Sequence, residues 1–80
     1  MDGNVMYTRH FREELAKDKL TMQDVLIICK SGAVVRAPEP DAKTGQWKYR
    51  IEGRSSGGQA AIVFTFRDDL SVMITVFRRG

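Results

Sequence analysis

The chain has 80 residues, of which 42% are hydrophobic and 29% are charged, and its net charge is +3. This length predicts one domain over residues 1–80, with a single small core, because such a chain buries only about 60% of the surface that it exposes when unfolded. Composition and spacing favour a small α+β domain. No apolar run approaches the roughly 20 residues of a membrane-spanning helix, and the single cysteine, Cys29, cannot form an internal disulfide. We therefore expect a soluble cytoplasmic protein that does not associate with membranes and has no secretory signal.

The basic residues are unevenly distributed along the chain. Residues 1–30 carry equal numbers of acidic and basic side chains, so the whole excess of +3 lies in residues 31–80. A basic half of this kind favours an anionic partner such as RNA. The alternative is a basic surface that only keeps the protein in solution.

The N-terminal part of the sequence predicts a first helix from about Arg9 to Lys17. Thr8 is a suitable N-cap, and Phe11 and Leu15 lie one helical turn apart on what we expect to be the buried side. This spacing predicts a surface helix with one apolar face.

A second helix is predicted to begin after Thr21. Thr21 and Asp24 have the spacing of a capping box, and Gly32 follows the last turn of the helix. The segment Val25–Cys29 is apolar nearly all round, which predicts burial against a sheet on one side and the first helix on the other.

After Gly32 the hydrophobic period changes from helical to alternating. We predict a polar loop from Pro38 to Gly45, a flexible connection from Gly53 to Gly58 and a tight hairpin at Asp68-Asp69. Four strands remain, over Ala33–Arg36, Gln46–Glu52, Ala60–Arg67 and Leu70–Arg78. The order ααββββ with short links predicts two N-terminal helices packed on one face of a four-stranded antiparallel sheet.

The second strand has the clearest alternation and predicts a candidate binding face. If Trp47, Tyr49 and Ile51 pack under the helices, Lys48 and Arg50 project from the opposite side. Neighbouring strands can add Thr65, Arg67 and Thr75 to that side. Cationic and hydroxyl side chains on a shallow sheet suit RNA phosphates and unstacked bases, although a solvated strand face is the alternative.

His10 is the only histidine of the chain and the main candidate for acid/base chemistry. Imidazole titrates near neutral pH, so it can exchange protons with a substrate under physiological conditions. The alternative is a half-buried histidine beside Glu14 that makes a structural hydrogen bond. One His and one Cys cannot furnish the usual ligands of a zinc site, and no P-loop is present, so we expect no metal or other cofactor.

The order of several short motifs resembles domain-of-unknown-function family 4258. The motifs are Tyr7-Thr8-Arg9-His10, Leu20-Thr21, Asp24-Val25, Gly32, Lys48-Tyr49-Arg50 and Ile74-Thr75-Val76-Phe77. The family looks related to the barnase, EndoU, colicin and RelE type of nuclease fold, which includes RNA-cleaving toxins of toxin–antitoxin pairs. The family pattern usually has arginine at positions 14 and 18 and commonly tyrosine at position 77, where this chain has Glu14, Asp18 and Phe77.

The resemblance implies a metal-independent endoribonuclease of toxin–antitoxin type, with RNA as substrate and an acidic antitoxin as a protein partner. It marks His10, Arg50 and Thr75 as catalytic residues. Residues expected to bind RNA are Lys48, Tyr49, Arg67 and Arg78. The alternatives are a non-catalytic module that binds RNA or protein, and a purely structural or oligomerising domain.

Overall fold

The computed structural model describes residues 4–34, 38–40, 45–55, 58–67 and 70–79. Within these ranges a strand precedes the two helices, and five further strands follow them. The bounds are β1 Asn4–Tyr7, α1 Arg9–Lys17, α2 Met22–Ser31, β2 Ala33–Val34, β3 Glu39–Pro40, β4 Trp47–Ser55, β5 Gly58–Arg67 and β6 Leu70–Arg79.

The predicted four-stranded antiparallel sheet is wrong, although the α+β class is right. The described strands form a six-stranded mixed sheet in the order β1-β6-β5-β4-β2, with β3 also paired to β4. β1 runs parallel to β6 and pairs Asn4–Tyr7 with Leu70–Met73. The prediction missed β1 because four residues give little alternation, and because their partner strand lies at the other end of the chain.

Both helices begin and end as predicted, and each begins at a threonine whose side chain makes a local hydrogen bond. The Thr8 hydroxyl accepts a hydrogen bond from the Phe11 N–H, at 3.1 Å. At the start of α2, the Thr21 N–H donates to Asp24 Oδ2 at 2.8 Å and the Thr21 hydroxyl accepts from the Asp24 N–H, which completes the capping box. Gly32 is the C-cap of α2.

The core lies between the helices and one face of the sheet, which we call the inner face. Ile51, Ile62 and Val76 are paired across β4, β5 and β6, and all three are buried. Phe11 of α1 and Ile28 of α2 pack against this row. Because a strand alternates its side chains, the residues between these positions form the opposite, outer face of the sheet.

The predicted burial of α2 on two sides is only partly right. Val25 and Ile28 are fully buried, but Leu26 is 52% exposed and Ile27 is 37% exposed. α2 packs on β4 and β5, whereas α1 packs along β6. The first helix therefore does not cover the far side of the second.

A register shift between β5 and β6 changes which residues of β6 face the core. Val63 is paired with Thr75 and Phe64 with Met73, so Ile74 is an extra residue on β6. Met73 and Val76 are both buried, three positions apart. Without the extra residue, Thr75 would share the inner face with Met73; with it, Thr75 lies on the outer face.

Two loop predictions also change. β3 lies inside the predicted polar loop, and β4 and β5 extend through the described part of the predicted flexible connection, of which 56–57 lie outside the described residues. The predicted hairpin at Asp68-Asp69 lies outside the described residues too, as does the last part of the first predicted strand, Val35-Arg36. The ladder pair Arg67–Leu70 flanks the hairpin position.

No helix within the described ranges has the length and the apolar character that crossing a membrane requires.

The capping box predicts a pH-dependent contribution to stability. The hydrogen bond from the Thr21 N–H, more than any other cause, lowers the pKa of Asp24 below the ordinary value of 3.8. The ionised carboxylate therefore stabilises the fold above pH 3.8, and this stabilisation is lost as the pH falls through the lower pKa of the folded state. Asp24→Ala should lower the free energy of unfolding by about 1–2 kcal/mol at pH 7 in urea denaturation, and the difference should narrow below pH 3.8.

The matched control is Gln23→Ala, which changes an exposed neighbour in the same turn. If the difference in the free energy of unfolding between wild type and Asp24→Ala stays constant down to acid pH, the charged carboxylate does not provide this stability.

Gly32 is required by the close approach of α2 to β4. A Cβ atom at this position would lie 2.5 Å from the carbonyl oxygen of Ile28 and 2.6 Å from that of Glu52. Both atoms belong to the backbone, so neither can move without shifting the helix or the strand. Gly32→Ala should therefore cost about 1–3 kcal/mol of stability, as overpacking does.

Thermal and urea denaturation measure this effect, with the exposed neighbour Ala33→Ser as the control. Equal midpoints for Gly32→Ala and wild type would contradict the assigned contact between α2 and β4.

Candidate functional site

The outer face of the sheet carries most of the described basic strand residues. Arg50 and Thr75 flank Val63 in one row across β4, β5 and β6. Lys48 pairs with Thr65 in the next row on the same face. The prediction that alternation brings these side chains to one face is therefore confirmed by the register. The described basic residues of this face are Lys48, Arg50, Arg54, Arg67 and Arg79, and its acidic residues are Glu39 and Glu52.

Arg50 is held in place by its neighbours on the outer face. Its guanidinium carbon lies 5.0 Å from the ring centroid of Phe77, and its Nε lies 2.8 Å from Glu52 Oε2. Glu52 is also paired with Arg79. The Arg50 side chain is only 22% exposed, so the aromatic ring and the carboxylate together fix the orientation of its guanidinium plane.

Thr8 fixes the start of α1 against the edge of β6. Its N–H donates to the Met73 carbonyl at 3.1 Å, and its hydroxyl donates to the Ile74 carbonyl at 3.0 Å. His10 follows two residues later and is exposed in the first turn of α1. The histidine is therefore carried at the β6 edge of the sheet, beside the strand segment that contains Thr75, and lies outside the row formed by Arg50 and Thr75.

A shallow groove on the outer face connects the start of α1 with the basic residues of β4 and β5. We call it the basic groove; it is lined by Thr8, Gln46, Lys48, Thr65, Arg67, Val72 and Ile74. The Thr65 hydroxyl donates to the Trp47 carbonyl at 2.6 Å, which ties the floor of the groove to β4. The groove therefore places two cationic side chains near the helix turn that carries His10.

Tyr49 lies on the inner face, away from Arg50. Its ring stacks on Phe64 with centroids 5.6 Å apart, and it makes an edge contact with Phe66 at 5.5 Å. Trp47 shares this face, but it is 54% exposed and Phe66 is 52% exposed. The prediction that the helices cover Trp47 is thus wrong, because this end of the sheet extends beyond them.

Arg78 also lies on the inner side, where it holds the end of α1. Its N–H donates to Asp18 Oδ2 at 3.1 Å, and its Nε donates to the Asp18 carbonyl at 2.8 Å. Its side chain reaches the Lys19 carbonyl as well. A cation at the C-terminal end of a helix satisfies its last carbonyls, so Arg78 has a structural role here.

The metal-ligating and thiol side chains of the described part of the chain do not form a metal or thiol site. No group of three or more His, Cys, Asp or Glu side chains there has the arrangement of a metal site. Cys29 is half-buried, and burial raises the pKa of its thiol, which fits the predicted packing role.

Sequence reasoning missed the exposed aromatic side chains and the role of Glu52. Trp47 and Phe66 follow the apolar alternation of their strands, so the pattern alone places them in the core. Only the extent of helix cover distinguishes an exposed ring from a buried one. Alternation along β4 puts Glu52 on the same face as Lys48 and Arg50, but its ion pair with Arg79 of β6 depends on strand register.

Comparison with known proteins gives a family and no functional relative. No curated protein matches the chain. No solved structure matches it either. The family model described as Domain of unknown function (DUF4258) matches residues 7–78, which is nearly the whole chain and includes His10, Arg50 and Thr75. The protein therefore belongs to the DUF4258 family.

Proposed function

We propose that this protein is a metal-independent endoribonuclease of toxin–antitoxin type that binds RNA on the outer face of its sheet. One observation carries the proposal above the others. The basic groove joins Lys48 and Arg67 to Thr8, two residues before His10. Phosphodiester cleavage uses cationic groups that bind the phosphate and a group that exchanges protons, and Lys48, Arg67 and His10 have these chemistries.

The reaction is a transesterification that uses the 2′-hydroxyl of the RNA itself. The 2′-oxygen attacks the adjacent phosphorus, the bond from phosphorus to the 5′-oxygen breaks, and a 2′,3′-cyclic phosphate and a 5′-hydroxyl form. One proton leaves the 2′-hydroxyl and one is delivered to the 5′-oxygen. His10 serves as the proton acceptor or donor at one of these positions.

The remaining catalytic residues act on the phosphate. Arg50, oriented by Phe77 and Glu52, stabilises the negative charge that develops on the phosphate oxygens. Lys48 attracts the same group, and the hydroxyl of Thr75 positions it by a hydrogen bond. Arg67 holds the RNA backbone further along the basic groove.

The same face would be the target of a neutralising partner. An acidic antitoxin segment has the charge to compete with RNA for Lys48 and Arg67. In this proposal, covering the basic groove is sufficient for inhibition.

The second candidate function is a non-catalytic RNA-binding module. The pairing of Arg50 with Glu52 favours it, because a guanidinium held by a carboxylate has less positive charge to offer a phosphate. The two candidates share the RNA-binding face and differ in turnover. Wild-type protein that binds RNA on the outer face but never cleaves it would select the second candidate.

His10→Ala should reduce RNA cleavage at least tenfold, since general acid/base catalysis contributes about 10²–10⁴ in rate. The fold should not change, because the side chain is exposed. The assay follows cleavage of a labelled single-stranded RNA in the presence of EDTA. Circular dichroism and thermal unfolding compare the two folds.

Glu13→Gln is the control on the same helix, at an exposed position. Equal cleavage by His10→Ala and wild type would remove His10 from the mechanism. Cleavage of an RNA whose 2′-hydroxyl is replaced by hydrogen would rule out the transesterification.

Lys48→Ala and Arg67→Ala should each weaken RNA binding and make it less sensitive to salt. Every lost phosphate contact should reduce the slope of log K against log salt concentration by about 0.7 for a single strand. The exposed Lys30 near the end of α2 provides a matched control, since Lys30→Ala removes the same charge from the helix side. Binding titrations between low and high salt measure the slopes; an equal loss in all three variants would show attraction by net charge without a defined face.

A further inference from the structure

The end of the sheet beside the basic groove carries an aromatic surface that the proposed chemistry does not use. A second groove is lined by Gln46, Trp47, Tyr49 and Phe66, and we call it the aromatic groove. Gln46 also lines the basic groove. The two grooves therefore meet at Gln46, one on each side of the sheet.

The aromatic rings form a supported surface. Phe64 packs against the core, Tyr49 stacks on it, and Phe66 makes edge contacts with both rings at 5.5–5.6 Å. Phe66 is nevertheless 52% exposed, and Trp47 is 54% exposed. Exposed rings held in place by a packed core offer contact area at little entropic cost, because few rotamers are lost on binding.

The positive charge of the neighbouring basic groove indicates which kind of ligand the aromatic groove binds. The residues that follow the two exposed rings, Lys48 after Trp47 and Arg67 after Phe66, project to the other side of the same strand ends and line the basic groove. An occupant that fills both grooves needs negative charge where it lies in the basic groove and flat apolar groups where it enters the aromatic groove. A single-stranded nucleic acid has this chemistry, since its phosphates repeat along a backbone that also carries unpaired bases.

We propose that the aromatic groove is a base-stacking subsite, in which Trp47 and Phe66 bind an unpaired nucleobase of the RNA whose phosphates occupy the basic groove. This inference rests on the proposed RNA-binding function and adds to it a requirement for single-stranded substrate. The strand passes from one groove to the other at Gln46. A duplex cannot follow this path, because its bases are already stacked and paired.

The test uses two oligonucleotides of equal charge on the wild-type protein. One is a 2′-O-methyl uridine octamer, which cannot be cleaved through its 2′-oxygen, and the other is an abasic octamer with the same backbone. Trp47 is the only tryptophan of the chain, so its fluorescence reports directly on this groove. We expect the uridine octamer to quench Trp47 and the abasic octamer to leave it unchanged.

Variants measure the contribution of the rings to affinity. Trp47→Ala and Phe66→Ala should each weaken binding of a labelled uridine octamer by about 5- to 150-fold, the usual range for one stacked base. Neither should change the binding of the abasic octamer. Leu26→Ala is the matched control, since Leu26 is as exposed as Phe66 but lies on α2.

Several outcomes would overturn the subsite. Equal losses for both octamers would show that the rings only support the fold. Binding that requires Lys48 and Arg67 but leaves Trp47 unquenched would overturn this inference and leave the proposed RNA-binding function intact. Failure of both octamers to bind would overturn the inference and the proposed function together. Sedimentation of the wild type as a dimer that Phe66→Ala converts to monomer would assign the rings to a second copy of the chain.

Discussion

The free edge of β6 is hydrogen-bonded at its start, in its middle and near its end, and the position of His10 depends on these bonds. β1 pairs with the first part of β6 as a parallel strand. Thr8 then bonds the carbonyls of Met73 and Ile74, and Asp18 accepts from the N–H of Arg78. Helix α1 therefore lies along β6 between two polar contacts, which satisfies strand groups that would otherwise remain open.

These bonds determine where the two ends of α1 lie. Its first turn, with His10, is held at the level of Ile74, and its last turn is held at the level of Arg78. Phe11 then enters the core between these contacts. The imidazole is thus presented by a helix whose two ends are hydrogen-bonded to β6, and Thr8, at the first of these ends, also lines the basic groove.

The sequence predicted the parts of the structure that depend on neighbouring residues. The caps at Thr8 and Thr21 are contacts over three positions, and alternation along β4 correctly separated Lys48 and Arg50 from Ile51. Strand β1 could not be predicted in this way, because its pairing with β6 joins residues more than sixty positions apart. The exposure of Trp47 and Phe66 depends on how far the helices extend over the sheet, which is a tertiary property.

Gly53 is a second residue whose role cannot be predicted from its neighbours in the sequence. Read locally, Gly53 begins a segment rich in glycine and serine and predicts a flexible connection. In the folded protein it is a strand residue, and a Cβ there would lie 3.1 Å from the Cα of Gly32 and 3.3 Å from Ile28. Its small size serves the packing of α2, a requirement that the surrounding sequence does not reveal.

The extra residue in β6 has a consequence for how this chain can vary. The extra residue Ile74 shifts the alternation of β6, so that Met73 and Val76 both face the core while Thr75 and Phe77 lie on the outer face. Deleting one residue here would exchange the buried and exposed sets of the C-terminal half of β6 and move the ring of Phe77 away from Arg50. Length changes at this point of the strand are therefore far less tolerable than most substitutions, and relatives that keep the outer face should also keep the bulge.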